Sequence, residues 1–246
     1  MTRRLLNMKE KSLILKISKS LFIEQLKWSP WFISIMFLLH LIVSYFQTRI
    51  DFTLNSLFGF SYYSTNIYML IIGIIAGAYF LPFYVKHGIT RKNYFIGATL
   101  SALGLSAAIA TIFAILSFLE GAILWFFGIE RLTTTILTVN SGNHWLLSFL
   151  VYTLNIFTYY LIGWLITTGY YRFGWKIGFG FIALAILSSI AHGFLWENEL
   201  YQQFVDKLPA QIGGLSLLIS ILLTTLLNCL ILCIIRLSTR KVAIKL

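Results

Sequence analysis

The stretch from Tyr94 to Leu119 reads YFIGATLSALGLSAAIATIFAILSFL and contains no charged residue. A helix needs about 20 mostly apolar residues to cross the hydrocarbon core of a bilayer, and this run is long enough. Glu120 is the only charge between Tyr94 and Ile129. A charge at the bilayer centre costs roughly 2.5–3.5 kcal/mol on insertion scales, so the reading places Glu120 at the outer boundary of the span. Gly121–Ile129, GAILWFFGI, is then an interfacial or re-entrant piece too short to cross.

Five further runs have the same character, which makes six: Trp28–Phe46, Tyr62–Val85, Tyr94–Leu119, Trp145–Tyr170, Ile177–Trp196 and Ile212–Ile235. The composition agrees. Of 246 residues, 59% are hydrophobic and only 11% are charged, against about 25% charged in soluble domains. The mean hydropathy is +0.84. Disordered chains, disulfide scaffolds and ordinary cytosolic enzymes are excluded. The expected fold is all-α and polytopic: an amphipathic interfacial helix over residues 1–27, a six-helix bundle over 28–236 and a basic tail over 237–246.

The net charge of +11 does not indicate nucleic acid, because the basic residues cluster at the ends of apolar runs. One side of the membrane receives Arg3, Arg4, Lys9, Lys11, Lys16, Lys19 and Lys27, then Lys86, Arg91 and Lys92, then Arg172 and Lys176, then Arg236, Arg240, Lys241 and Lys245. The other side receives only Arg49, Arg131 and Lys207. Positive residues stay inside, so both termini are expected in the cytoplasm. No cleavable signal peptide is visible; the first span is expected to direct its own insertion. In the leader, Leu6, Leu13, Ile14, Ile17 and Leu21 share one helical face, with lysines on another. Such a helix lies on the inner leaflet with its lysines near anionic lipid.

Small residues at spacing four mark close helix approaches. Gly73 and Gly77 form one such pair, Gly97 and Ser101 a second, and Gly174 and Gly178 a third. Cys229 and Cys233 share a helical face and read as packing residues rather than a metal or redox pair.

No zinc-protease, serine-hydrolase or phosphate-loop motif occurs. The chain is therefore expected to have no catalytic residue, no metal site and no ATP site. The span interiors hold no Asp, Lys or Arg, so ion coupling lacks its usual carriers. A histidine inside a span, here His40 or His192, carries a proton, holds a metal or hydrogen-bonds across a helix pair. His192 with Glu197 and Glu199 is the one grouping that an intramembrane metal enzyme could use.

The second inner connection is the informative one: Gly88-Ile89-Thr90-Arg91-Lys92-Asn93-Tyr94-Phe95. Gly88 permits a turn, Thr90 is a natural N-cap, and Arg91 and Lys92 project from the next turn. The expected result is a basic helical knob joined to two spans.

With this turn, six spans, inside termini and a basic amphipathic leader, the chain resembles the permease subunits of type-2 ABC transporters. The resemblance covers the whole chain in topology, but in sequence it rests on this motif. It implies that Ile89, Thr90, Arg91, Lys92, Asn93, Tyr94 and Phe95 form the coupling helix that docks on a separate ATPase subunit. The turn at Tyr171–Lys176, with Arg172, Trp175 and Lys176, is then a second contact. ATP and magnesium would be bound by that partner, not by this chain. The resemblance also implies a homodimer or a pairing with a related permease. Small members of the family from Gram-positive bacteria export peptides, such as lantibiotics and phenol-soluble modulins, or confer immunity to them. An amphipathic or hydrophobic peptide cargo crossing the cytoplasmic membrane is the corresponding expectation. A non-transporting accessory or immunity protein is the main alternative, and a metal-dependent intramembrane enzyme a further one. The insertion Glu120–His144 departs from the family pattern, and the acidic outer connection Glu197–Gln211 takes the place of its membrane-dipping helices.

Overall fold

A computed structural model describes residues 2–47, 56–126, 135–136, 139–140, 145–196 and 217–240, with side chains described from residue 12. Helix α1 spans Thr2–Leu26 and α2 spans Ser29–Gln47. Helix α3, Leu57–Ile75, passes through a π-helical turn at Ala76–Phe80 into α4, Leu81–Lys86. Helix α5 covers Arg91–Phe126, α6 Trp145–Trp196 and α7 Leu217–Thr239. Thr135–Ile136 and Val139–Asn140 pair as a two-residue antiparallel ladder. Among the described residues, five helical stretches are long and apolar enough to cross a membrane.

A straight helix of 52 residues, the length of α6, would run about 78 Å at roughly 1.5 Å per residue. Yet the Tyr159 and His192 rings lie 5.4 Å apart and those of Phe173 and Phe181 5.5 Å apart. The chain reverses at Gly174, where φ is 77°. Glycine is the residue that enters this region without a Cβ penalty. Residues 145–173 and 175–196 are thus two antiparallel arms. Gly174 and Gly178 are not the packing pair their spacing suggested. Gly174 makes the turn, while Gly178 packs against the Tyr170 ring.

The centre of the bundle is the parallel crossing of α3 and the first arm of α6. A Cβ at Gly73 would collide with the Tyr160 carbonyl oxygen, and one at Gly163 with the Leu70 carbonyl. The two backbones therefore touch, as small residues allow. Gly77 faces Thr167 and Trp164. Outside this notch the Tyr152 hydroxyl bridges Ser61 and Thr65, at 3.1 and 2.9 Å.

Two features differ from the expectation. Helix α1 ends at Leu26, close to the expected boundary, but its second half packs into the bundle. Ile17, Leu21 and Gln25 of α1 are fully buried, and Gly97 of α5 packs on Ile17. The Gln25 amide donates to the Tyr160 hydroxyl at 3.0 Å and accepts from Ser101 at 3.4 Å. A glutamine that reads as wet is satisfied inside the protein, so the second half of α1 belongs to the bundle. Helix α5, in turn, does not stop at Glu120. It continues through Gly121 to Phe126, so residues 121–126 of the expected interfacial piece are part of the same helix. Residues 127–129 of the expected re-entrant piece lie outside the described residues. So do most of the 120–144 insertion and the whole connection Glu197–Gln211.

The π turn follows from Pro82, at the start of α4. Proline lacks an N–H and crowds the carbonyl four residues back, so the preceding turn widens. Cys229 and Cys233 are exposed rather than packed.

Gly163→Ala should lower the thermal stability of the detergent-purified chain by about 1–3 kcal/mol, the usual cost of overpacking. Gly180→Ala, where nothing lies within 4 Å, should cause no loss in the same unfolding assay.

Candidate functional site

One end of the bundle collects the turn at Gly88, the turn at Gly174 and the end of α7. Helix α4 closes with two reversed hydrogen bonds: Gly88 N–H to Val85 at 3.0 Å and Ile89 N–H to Tyr84 at 3.1 Å. Gly88 has φ 83°. This is the Schellman arrangement, which needs a left-handed residue at that position. Thr90 then accepts the Asn93 N–H at 3.2 Å and caps α5.

The expected knob is only partly a projection. Thr90 and Lys92 are exposed, and Ile89, Arg91 and Phe95 half-buried, while Asn93 and Tyr94 are buried. The Tyr94 hydroxyl donates to the Ala76 carbonyl at 2.7 Å, which ties the start of α5 to the π turn. Tyr94 and Phe95 both pack on Trp164. The inward half of the segment is therefore an anchor, and the outward half is what a partner can reach.

The end of α7 joins the two inner turns. Arg172 donates to the Leu237 carbonyl at 2.9 Å, and Arg91 donates to the Arg240 carbonyl at 3.4 Å. A helix leaves its final carbonyls without intrahelical partners and carries partial negative charge there. Two guanidiniums from separate connections satisfy that end. Arg236 lies over the Phe95 ring at 5.5 Å. Trp175 is exposed, with Lys176 over its ring at 5.9 Å. Between the ends of α4, α5 and α7 is a cleft of about 360 Å³, lined by Val85, Ile89, Thr90, Arg91, Lys92, Arg236 and Arg240. Arg236 and Arg240 were not expected in a site. Their signal was their spacing of four on one helical face.

At the opposite end, His40 Nε2 meets Glu120 Oε1 at 2.5 Å. The other carboxylate oxygen of Glu120 accepts the Leu57 N–H at 3.0 Å. One acidic side chain thus joins α2, α5 and the first turn of α3, where the helix dipole favours negative charge. His40 is a cross-helix hydrogen bonder rather than an isolated group.

His192 is fully buried, and both its ring nitrogens lack a hydrogen-bond partner among the described residues. The Trp196 indole N–H donates to Thr224 at 2.9 Å. That antiparallel register sets Asn228 level with His192, and Asn228 is also buried, its amide unpaired among the described residues. Glu197 and Glu199 lie outside the described residues. Among the described residues, no group of three His, Cys, Asp or Glu side chains could hold a metal.

The chain matches no protein-family model, no curated protein and no solved structure.

Glu120→Ala should destabilise the protein by about 1–3 kcal/mol, since it orphans both His40 and the Leu57 N–H. Glu120→Gln, which keeps an acceptor, should cost less in the same thermal unfolding measurement. Asn228→Leu should raise stability by about 1 kcal/mol, because it removes a buried amide without partners.

Proposed function

We propose that this chain is the membrane-spanning permease subunit of an ATP-driven exporter in a cytoplasmic membrane. The two arms of α6 count as separate crossings in this reading, which makes six with the other four stretches. Both termini are cytoplasmic, on the side of the lysines and arginines. The observation that carries the reading is the joint between the inner turns. Arg172 binds Leu237 in the last turn of α7 and Arg91 binds Arg240 just past it, so a force on either inner turn reaches the same helix end.

In this mechanism a separate ATPase subunit binds and hydrolyses ATP, and no group of this chain does chemistry. Thr90 and Lys92 present the outward face of the knob, with Arg91 beside them. Trp175 and Lys176 present the second contact. Motion of the knob passes through Tyr94 to the π turn of α3 and through Trp164 to the first arm of α6. A π turn is a weaker piece of helix than its neighbours, so bending concentrates there. A second permease copy completes the path, and an amphipathic or hydrophobic peptide is the cargo. The apolar outer surfaces of α2, α7 and the second arm suit lipid and such a cargo alike.

The test is a pull-down of the tagged chain in mild detergent, with mass spectrometry and an ATPase assay of the captured material. A stoichiometric ATPase subunit is expected with wild type. It should be lost with the Arg91→Glu, Lys92→Glu double variant, while membrane insertion is unchanged. Capture of the ATPase by that variant at the wild-type level would remove the knob from the interface. A chain that captures no ATPase at all would remove the exporter reading.

A further inference from the structure

We propose that the cleft between the ends of α4, α5 and α7 binds a phosphate group, supplied by the headgroup of an anionic phospholipid. The inference rests on the cytoplasmic placement of this end in the reading above, but not on a partner ATPase.

Four of the seven lining residues are cations, Arg91, Lys92, Arg236 and Arg240, and none is acidic. Like charges gathered around one cleft repel one another, and an anion between them offsets that repulsion. Two donors in the lining residues also lack partners. Arg91 Nε and Arg236 Nη1 are buried and have no hydrogen-bond partner among the described residues. A buried donor without an acceptor costs free energy, and a phosphate offers several acceptor oxygens in the geometry guanidinium matches.

The position points to lipid rather than a free anion. Tyr79, Phe83, Phe173 and Trp175 are exposed at the same end of the bundle, and exposed aromatic rings of a membrane protein collect at headgroup level. Val85 and Ile89 give the cleft an apolar flank, where the upper part of an acyl chain can rest. Basic pockets between helix ends on the cytoplasmic side are suited to acidic headgroups.

The test uses the full-length chain purified in mild detergent. Native mass spectrometry reads retained lipid, and thermal unfolding is followed with phosphatidylglycerol, phosphatidylcholine or inorganic phosphate added. Phosphatidylglycerol should be retained and should raise the unfolding temperature; phosphatidylcholine should do neither. The Arg236→Gln, Arg240→Gln double variant should weaken phosphatidylglycerol retention by about tenfold or more. An Arg131→Gln, Lys207→Gln variant, which removes the same charge from connections expected on the other side of the membrane, should retain it normally. If the double variant does not fold, Arg240→Gln alone carries the test, since that side chain is exposed. Stabilisation by inorganic phosphate to the same extent, lost in the same variant, supports the phosphate site with a free anion as its source. Equal lipid retention by the cleft variant and the Arg131→Gln, Lys207→Gln variant overturns the proposal. So does loss of a captured acidic protein partner from the cleft variant with lipid retention unchanged, which would make the cleft a protein contact.

Discussion

The contact between α3 and the first arm of α6 at Gly73 and Gly163 governs where every other element sits. Backbone against backbone leaves no side chain between the helices, so the residues one turn away are fixed in depth and direction. Tyr160 presents its carbonyl to Gly73 and its hydroxyl to Gln25, which brings in α1. Trp164, one turn further, packs on Tyr94 and Phe95 and so places the start of α5. In lipid, apolar burial does not drive helices together, and close packing with cross-helix hydrogen bonds does that work. The buried hydroxyl set of Ser61, Thr65 and Tyr152 is the polar counterpart of the glycine notch.

The two ends of the bundle solve different electrostatic problems. At one end a single carboxylate, Glu120, serves a histidine and the N-terminus of a helix. At the other, arginines from two connections serve the C-terminus of α7. Both arrangements place charge where a helix dipole favours it. The arginine end differs in having a surplus of cations. Four cations and no acidic residue line the cleft there, a surplus that the proposed phosphate would offset.

Much of this was legible in the sequence. The apolar runs and the reversal between Tyr170 and Ile177 could be read directly, because a membrane imposes a length on each helix. The turn chemistry at Gly88 and Thr90 is local, so residue identity was enough to predict it. What was not legible has a common cause. The reading of α1 as a surface helix missed that Gln25 is satisfied by Tyr160 and Ser101, and the partners of Glu120, His40 and the Leu57 N–H, are equally distant in the chain. Gly174 and Gly178 share the spacing of Gly73 and Gly77 but not the role, since spacing does not record φ.

The sequence by itself determined that this chain is helical and suited to a membrane, and it marked the basic turns at one end of the helices. Those properties come from composition and from interactions within a few residues. Only the tertiary structure decided that Arg91 and Arg172 meet at the end of α7, that Arg236 and Arg240 complete a cleft with the α5 turn, and that α1 enters the bundle. Each of these joins residues distant in the chain, and they meet only because the glycine notch sets the helices in register.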